Sequence, residues 1–424
     1  MRKLGMFSTR DNSIRHTTGF AALICVLAIL FAGTVSLQAK DKKKKEPAAP
    51  PQKNLLELLD YSKIVWPNPP AITRIKYLSY FSGEKRESKP TQKTKSAWMD
   101  RLSGVAVGQA SPSDKLYFQL VRPYGIGVDT QGRVYIADEK VLAIFIYNPE
   151  TGQVELIKNG QHARFKLITG LTLDDSDTLF VSDSELRHVL VFDKQHKAQA
   201  SISQGMSTPA GLAVDNENRF LYVADSQLDQ VLVYDADPPY KLLRTIGKPG
   251  SKHELTTPGD FSRPTNVAVD KDGNLYVTDT FNNRVEIFDA DGNFIREFGK
   301  AGDGPGYFAR PKGIAVDSDG HVWVADAVQD RVQVFTPEGG LLIWLGGHGL
   351  LPGQFSTLAG LTIDKNNRVL TSEQYPGRVQ IFRYFTDQEA QAEKDRRDAA
   401  PDKKTGKPAA KEAAAANPTA TPPK

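Results

Sequence analysis

Six related stretches of sequence predict an all-β chain that folds as a six-bladed β-propeller. Each stretch opens with a short apolar run that ends in an acidic residue, and these residues are Asp129, Asp174, Asp215, Asp270, Asp317 and Asp364. They lie 45, 41, 55, 47 and 47 residues apart. A repeat of about 40 to 50 residues with four predicted strands is typical of propeller blades, which close into a ring.

The fourth repeat shows why each unit is predicted to be a four-stranded antiparallel sheet. Its runs NVAVD, NLYVTD, RVEIF and FIREF are rich in Val, Ile, Tyr and Phe, which favour half-buried strands. Asp272-Gly273 lies between the first and second runs, and Asp291-Gly292 lies between the third and fourth. Both pairs are hairpin signals, because Gly adopts a positive φ without steric cost.

Two further positions recur in all six repeats. Gly, Asn or Asp stands three residues after each of the six Asp residues. A second acidic residue follows at Asp138, Asp183, Asp225, Asp279, Asp326 and Glu373. We expect both sets of acids to cap turns and loops rather than bind a ligand, because Asp accepts hydrogen bonds from the backbone N–H groups that follow it.

The repeats resemble those of a known family. The pattern RPxGIAVDxxGxxYVADxxNxRVxVF is almost complete at 263–288 and 310–335, and it is looser in the other four repeats. It is similar to the pattern of the NHL-repeat six-bladed β-propellers, over roughly Pro70 to Phe385. The resemblance implies the fold and says little about function, because propellers host many unrelated activities.

The N-terminal region predicts a signal peptide or membrane anchor over residues 1–39. Phe20–Leu37 is an uncharged apolar run of 18 residues behind a basic leader, as in secretory signals, and such a run also just spans a bilayer. Lys40 and Lys42–Lys45 follow at once, and lysine clusters resist translocation. We expect an extracytoplasmic protein, in the periplasm or cell envelope. Cleavage of residues 20–37, their retention as an inner-membrane anchor and a propeller facing the cytoplasm stay open.

The remaining boundaries follow from composition and from the strand count. Residues 40–65 form a Lys- and Pro-rich linker, and residues 66–386 form the propeller. The sixth repeat has no fourth strand of its own, so we predict that the strand 73–81 completes the last blade and closes the ring. Residues 387–424 are rich in Ala, Lys and Pro and predict a disordered tail, apart from a short helix at 387–398.

Charge and cysteine content exclude two classes of partner or site. Residues 54–386 hold 36 Lys and Arg against 40 Asp and Glu, so the basic balance of the chain comes from its ends. Without a basic surface, the propeller is not predicted to bind nucleic acid. Cys25 is the only cysteine, which excludes a disulfide or a thiolate metal site in the propeller.

Departures from the repeat predict a ligand-binding rim. Four residues before the Asp that ends each first apolar run, five repeats have Gly, and the fourth repeat has Asn266. The first strand of a blade is innermost, so we expect Asn266 near the mouth of the central channel. The predicted rim, suited to an anionic group, is Arg122, Tyr124, Arg263, Asn266, Arg310 and Lys312. The alternative is that these side chains are solvated and bind nothing.

Three histidines give a second alternative. His162, His253 and His348 lie in the connections that lead into the second, fourth and sixth blades, where they could form a site for a divalent metal such as zinc or calcium. The family resemblance also implies it, because some NHL-like propellers are metal-dependent lyases. The Tyr that such lyases carry after the second strand is Phe281 here. The main prediction is therefore no cofactor and no catalytic residue.

The function predicted from these observations is binding rather than catalysis. No nucleophile elbow, phosphate loop or His-Glu-x-x-His motif is present in the sequence. We predict a binding or scaffold module for a protein or peptide partner, which binds on the face where the first strands begin. The alternative is a metal-dependent lyase or lactonase-like hydrolase with its site at the central channel.

Overall fold

The structure is a computed structural model that describes residues 59–84, 118–248 and 257–399. The predicted membrane segment 20–37, most of the linker, His253 and the tail after residue 399 lie outside these described residues. Over the described ranges, no helix has the length and apolar character needed to cross a membrane.

The described strands form six antiparallel sheets. Strands β1 (Val65–Trp66) and β2 (Ile75–Phe81) come before the repeats. Blade 1 contains β3 (Pro123–Val128), β4 (Val134–Asp138), β5 (Ala143–Tyr147) and β6 (Val154–Lys158). Blade 2 contains β7 (Ile168–Leu173), β8 (Leu179–Asp183), β9 (His188–Phe192) and β10 (Ala198–Ile202). Blade 3 contains β11 (Pro209–Asp215), β12 (Phe220–Asp225), β13 (Gln230–Asp235) and β14 (Leu242–Ile246).

The second half of the ring repeats this order. Blade 4 contains β15 (Pro264–Val269), β16 (Leu275–Asp279), β17 (Arg284–Phe288) and β18 (Phe294–Phe298). Blade 5 contains β19 (Pro311–Val316), β20 (Val322–Asp326), β21 (Arg331–Phe335) and β22 (Leu341–Gly346). Blade 6 contains β23 (Leu358–Ile363), β24 (Arg368–Glu373), β25 (Arg378–Tyr384), β2 and β1. Each first strand contacts the first strand of the next blade, and β23 contacts β3, so the ring is closed.

Blade-to-blade packing explains why the middle strands are continuous apolar runs. The residues of β4, β8, β16 and β20 are all buried, because a neighbouring blade covers each face of the sheet. Outer strands such as β18 are largely exposed. The core is therefore a series of apolar clusters, each shared by two adjacent blades.

One aromatic residue fills the space between blades in the second half of the ring. Phe261, Phe308 and Phe355 are completely buried. Phe261 packs between blades 3 and 4, Phe308 between blades 4 and 5, and Phe355 between blades 5 and 6. Each of these residues ends a Pro-Gly-x-Phe connection, and these connections therefore fill the gaps between blades.

The last blade combines strands from the sixth repeat with strands from the segment before the first repeat. Strand β2 pairs antiparallel with β25, from Ile75 opposite Tyr384 to Phe81 opposite Val379, which is the position that the sequence gives to residues 73–81. Strand β1 adds a fifth strand to this blade, where the sequence predicted four strands and placed Val65 in the linker. Two residues before a run of prolines are too short to show a strand period.

A helix follows the last strand. It is α1 (Asp387–Ala399), over the residues where the sequence predicts a short helix in the tail. Thr386 and Glu389 form a capping box, because the Glu389 carboxylate accepts from the Thr386 N–H and the Thr386 hydroxyl accepts from the Glu389 N–H.

The second acidic residue of each repeat fixes the start of a first strand. Asp138 accepts hydrogen bonds from the backbone N–H groups of Val121 and Arg122. Asp326 accepts them from Ala309 and Arg310 in the same way. The carboxylates therefore hold the chain where it enters each blade, and they are engaged by the backbone, as the turn-cap interpretation expects. We call the side of the ring on which β3, β7, β11, β15, β19 and β23 begin the first-strand face.

Candidate binding site at the first-strand face

The six first strands enclose a central channel of about 640 Å³. Its lining extends from Tyr124 and Asn266 near the first-strand face to the turns at the opposite end, such as Asp129–Gly132. Lys312 of blade 5 places its Nζ 5.5 Å from the ring centre of Tyr124 in blade 1. These blades are not neighbours, so the two side chains meet across the mouth of the channel and narrow it.

A carboxylate that the sequence analysis did not select joins this pair. Glu139, directly after β4, lies 3.5 Å from Nη2 of Arg122 and accepts a hydrogen bond of 3.3 Å from the Gln374 amide. Burial raises the pKa of Glu139, and Arg122 and Lys312 oppose the rise. Burial lowers the pKa of Lys312, and Arg310 and Arg122 add to the decrease while Glu139 opposes it. The mouth of the channel thus holds partly desolvated charges of both signs.

Two more predicted rim residues share one aromatic ring. The guanidinium carbon of Arg263 lies 5.6 Å from the centre of the Phe281 ring, and that of Arg310 lies 5.5 Å from it. Both distances are within the range of a cation–π contact. Within the described part of the chain, neither guanidinium forms an ion pair with a carboxylate.

Asn266 lines the channel, as Tyr124 does, whereas the other four predicted residues do not belong to its lining. It lines the channel at the level where the other blades have Gly, and its backbone N–H donates to the Thr278 hydroxyl. A Cβ atom at Gly211 of the preceding blade would lie only 2.1 Å from Oδ1 of Asn266. The amide nitrogen of Asn266 is buried and has no hydrogen-bond partner among the described residues.

Apolar side chains around the mouth distinguish the two halves of the ring. Two residues after the second acid, blades 4 to 6 have Phe281, Val328 and Tyr375, which are 50%, 60% and 60% exposed. Blades 1 to 3 have Lys140, Glu185 and Gln227 at the same position. We call Phe281, Val328 and Tyr375 the apolar patch. The sequence contained this signal, because the three residues differ from their counterparts in the other repeats.

The connections between blades extend the apolar patch. Val121, Leu350 and Leu351 are each nearly half exposed on the first-strand face. Leu350 is next to the β24–β25 hairpin that carries Tyr375, because its carbonyl accepts from Arg378. The backbone carbonyl of Val121 lies against Gly377 of that hairpin. Exposed apolar side chains around blade 6 therefore extend beyond the apolar patch to the connections between blades.

The structure describes two of the three histidines of the alternative metal site, and each of the two contacts a different group of the protein. Nδ1 of His348 lies 2.7 Å from Oδ2 of Asp330, and Nδ1 of His162 accepts from the backbone N–H of Lys158. His253 falls outside the described residues. In the ranges that the structure describes, no three His, Cys, Asp or Glu residues are grouped to hold a metal ion.

Comparison with known proteins supports the fold. A family model described as a 6-bladed β-propeller matches residues 254–343. Protein lin-41 of Caenorhabditis elegans is 47% identical over 53 residues, which are 12% of this chain and 4% of that protein. The probable peptidyl-alpha-hydroxyglycine alpha-amidating lyase pgal-1 of the same organism is 28% identical over 208 residues, which are 45% of this chain and 57% of that protein. This chain therefore spans about half of one curated relative and a small part of the other.

A solved structure of a gluconolactonase from Xanthomonas campestris is 17% identical with a TM-score of 0.49, over 73% of this chain and 98% of that one. The closed ring of six sheets with antiparallel strands defines a six-bladed β-propeller. Its repeat pattern is similar to that of the NHL-repeat six-bladed β-propellers, and the family model and the lin-41 match each cover only part of the chain.

Proposed function

We propose that the propeller binds a protein or peptide partner through the first-strand face of blades 4 to 6. The apolar patch is the observation that carries this proposal. Three large apolar side chains in successive blades are at least half exposed. They are costly to leave in water, and burying each would contribute roughly 2 kcal/mol. Clustered exposed apolar groups on soluble proteins mark interaction sites.

The composition around the patch supports a protein partner. Protein interfaces are enriched in aromatic residues and Arg at their centre and have a polar rim. Phe281 and Tyr375 are the aromatic residues here, and Arg263 and Arg310 lie beside Phe281. The adjoining polar half of the face, at Lys140, Glu185 and Gln227, supplies a solvated border.

The proposal is tested with a variant built from the chain's own repeats. Phe281→Lys, Val328→Glu and Tyr375→Gln introduce the residues that blades 1 to 3 have at this position, so the fold should tolerate them. The control variant, Leu243→Gln with Leu342→Gln, changes exposed side chains on the outer strands β14 and β22.

Both variants and the wild type are used to capture proteins from the source cells, and each captured protein is then purified and titrated by calorimetry. We expect a partner that binds the wild type and the control with the same affinity and that the patch variant binds at least about tenfold more weakly, or about 1.4 kcal/mol. Equal affinity of all three proteins for every captured partner would refute the binding role of this face.

A second candidate function is favoured by the sequence relative. The 28% identity to the probable amidating lyase over 208 residues supports a lyase or lactonase-like hydrolase, with a divalent metal in the central channel. The full chain, including His253, is needed for the test. Metal analysis of the purified protein and turnover of a peptidyl-α-hydroxyglycine and of a lactone decide it. Stoichiometric metal with turnover supports the enzyme, and the absence of both removes it.

We also propose that the propeller lies outside the cytoplasm, on the support of the apolar run 20–37 and the basic leader before it. A C-terminal alkaline phosphatase fusion should be active if the chain is exported. An active cytoplasmic reporter at the same position would place the propeller on the other side of the membrane.

A further inference from the structure

We infer that the partner presents an acidic side chain whose carboxylate binds between Arg263 and Arg310 at the edge of the Phe281 ring. This inference rests on the proposed function and specifies the chemistry of the partner. It concerns a peptide segment in which acidic and apolar residues alternate, because the two arginines adjoin the apolar patch.

The first step of the argument is the geometry of the two arginines. They begin the first strands of successive blades, and both guanidinium groups lie within 5.6 Å of the centre of one ring. The main chain that carries the ring is held in place, because the backbone N–H of Phe281 donates to the carbonyl of Ser262. A guanidinium stacked on an aromatic ring keeps its in-plane donors available for a carboxylate.

The second step is that neither guanidinium forms an ion pair with a carboxylate among the residues that the structure describes. Other arginines of the propeller pair with carboxylates, such as Arg219 with Asp174, Arg284 with Asp279 and Arg378 with Glu373. The carboxylate of Glu139 at the channel mouth is paired with Arg122. Asp229 and Asp326 accept from the backbone N–H groups of Arg263 and Arg310, but among the described side chains no carboxylate forms an ion pair with either guanidinium.

The third step is that the surroundings suit a peptide rather than a nucleic acid. A polyanion backbone requires an extended basic surface, whereas residues 54–386 hold more acidic than basic side chains. The positive charge is local, and Phe281 and Val328 beside it are apolar and exposed. A segment with a carboxylate next to Leu or Phe side chains would satisfy both features.

The chain offers matched replacements for the two arginines. Thr357 begins the first strand of blade 6 with φ 56°, as Arg263 does in blade 4 with φ 50°. Thr208 begins that of blade 3, as Arg310 does in blade 5, without a positive φ. The variant Arg263→Thr with Arg310→Thr should therefore fold. Arg296→Gln, on the outer strand β18, removes one exposed arginine elsewhere and is the control.

The experiment measures fluorescence anisotropy with the full chain and four labelled probes. They are a peptide of alternating Leu-Glu and Phe-Glu pairs, its counterpart with every Glu replaced by Gln, an oligoglutamate of the same length and a single-stranded oligonucleotide. We expect the first peptide to bind the wild type and Arg296→Gln equally, and to bind the double Thr variant about tenfold or more weakly. The Gln counterpart should bind the wild type at least about tenfold more weakly, because a charge-assisted bond is lost.

Several results would overturn the inference. They are equal binding of the Glu and Gln peptides, equal weakening by Arg296→Gln, tighter binding of the oligonucleotide and no binding of the first peptide. The capture experiment separates this failure from that of the proposed function. A captured partner that is lost with the patch variant but retained by the double Thr variant leaves the proposed function standing and removes the acidic chemistry. Binding of the acidic peptide that is insensitive to the patch variant removes the proposed role of the apolar patch.

Discussion

The structure predicts the sign and the size of the effect of Glu286 on the free energy of unfolding at different pH values. Glu286 lies in the middle of β17 and is completely buried. Its Oε2 accepts from the backbone N–H of Gly259 at 2.9 Å, and its Oε1 lies 2.7 Å from Nη2 of Arg284. Blade 5 has Gln333 at the same position, and its amide oxygen accepts from Gly306 in the same way. The variant Glu286→Gln therefore keeps the shape and the hydrogen bond and removes the ionisable group.

The magnitude follows from the pKa of this carboxyl. Burial raises the pKa of Glu286 from 4.5 to about 7, although the Gly259 N–H and Arg284 act to lower it. At about 1.36 kcal/mol per pKa unit, the ionised form costs on the order of 3 kcal/mol above pH 7. Because the pKa is raised in the folded state, the folded protein binds more protons than the unfolded protein between about pH 4.5 and pH 7. The free energy of unfolding therefore decreases as the pH rises through this range.

The assay is urea unfolding of wild type and variant at pH 5, 6, 7 and 8. We expect the two proteins to be similar at pH 5, and Glu286→Gln to be more stable by up to about 3 kcal/mol at pH 8. Glu297→Gln is the control, because Glu297 also pairs with Arg284 but its side chain is 39% exposed. The reasoning is refuted if the difference between wild type and Glu286→Gln does not change with pH, or if the variant is the less stable protein at pH 8.

Two further predictions concern contacts between blades. Ser372→Ala removes a hydroxyl that accepts from Gly360 and donates to the carbonyl of Tyr124 across the closure of the ring. The free energy of unfolding in urea should therefore fall by about 1 to 3 kcal/mol. An unchanged value would mean that the closure does not depend on this contact. Gly211→Ala should lower the melting temperature, because its Cβ would lie 2.1 Å from Oδ1 of Asn266. Adding Asn266→Gly should restore only part of the loss, because the new Cβ would still lie 2.6 Å from the Cα of residue 266. Additive effects of the two changes would contradict the clash with the Asn266 side chain.

The fold could be predicted because its turn chemistry recurs six times. The acids at Asp138 and Asp326 hold the same backbone groups in different blades, so each repeat confirms the register of the others. Strand β1 could not be predicted, because Val65 and Trp66 gain their partner only when β2 is in place. A strand formed through tertiary pairing leaves no period in its own sequence.

The candidate site could be predicted only in part. Arg263 and Arg310 were selected because they begin first strands, and the structure places both beside Phe281. The role of that ring as their shared contact depends on the angle between two blades, which no local pattern encodes. Glu139 was missed because it directly follows Asp138, and that acid was assigned to a turn cap without the next residue being considered. The structure places Glu139 beside Arg122 at the channel mouth.

Blades 4 to 6, which carry the apolar patch, also bury polar side chains in the middle of their third strands. At least one of these side chains fixes a loop on the face that carries the patch. Gln333 accepts from the Gly306 N–H and donates to the carbonyl of Tyr307, so it fixes a loop on the first-strand face. Leu232 fills the equivalent position in blade 3. A loop fixed before binding loses less entropy on association.

Replacing Gln333 with Leu should therefore release this loop without touching the patch. Hydrogen exchange over residues 303–309 should become at least about tenfold faster, because the Gly306 N–H and the Tyr307 carbonyl lose their buried partner. Affinity for a captured partner should fall while the patch residues stay unchanged. Unchanged exchange would show that the loop is held by other contacts, and that the buried glutamine serves only to fill space between blades 4 and 5.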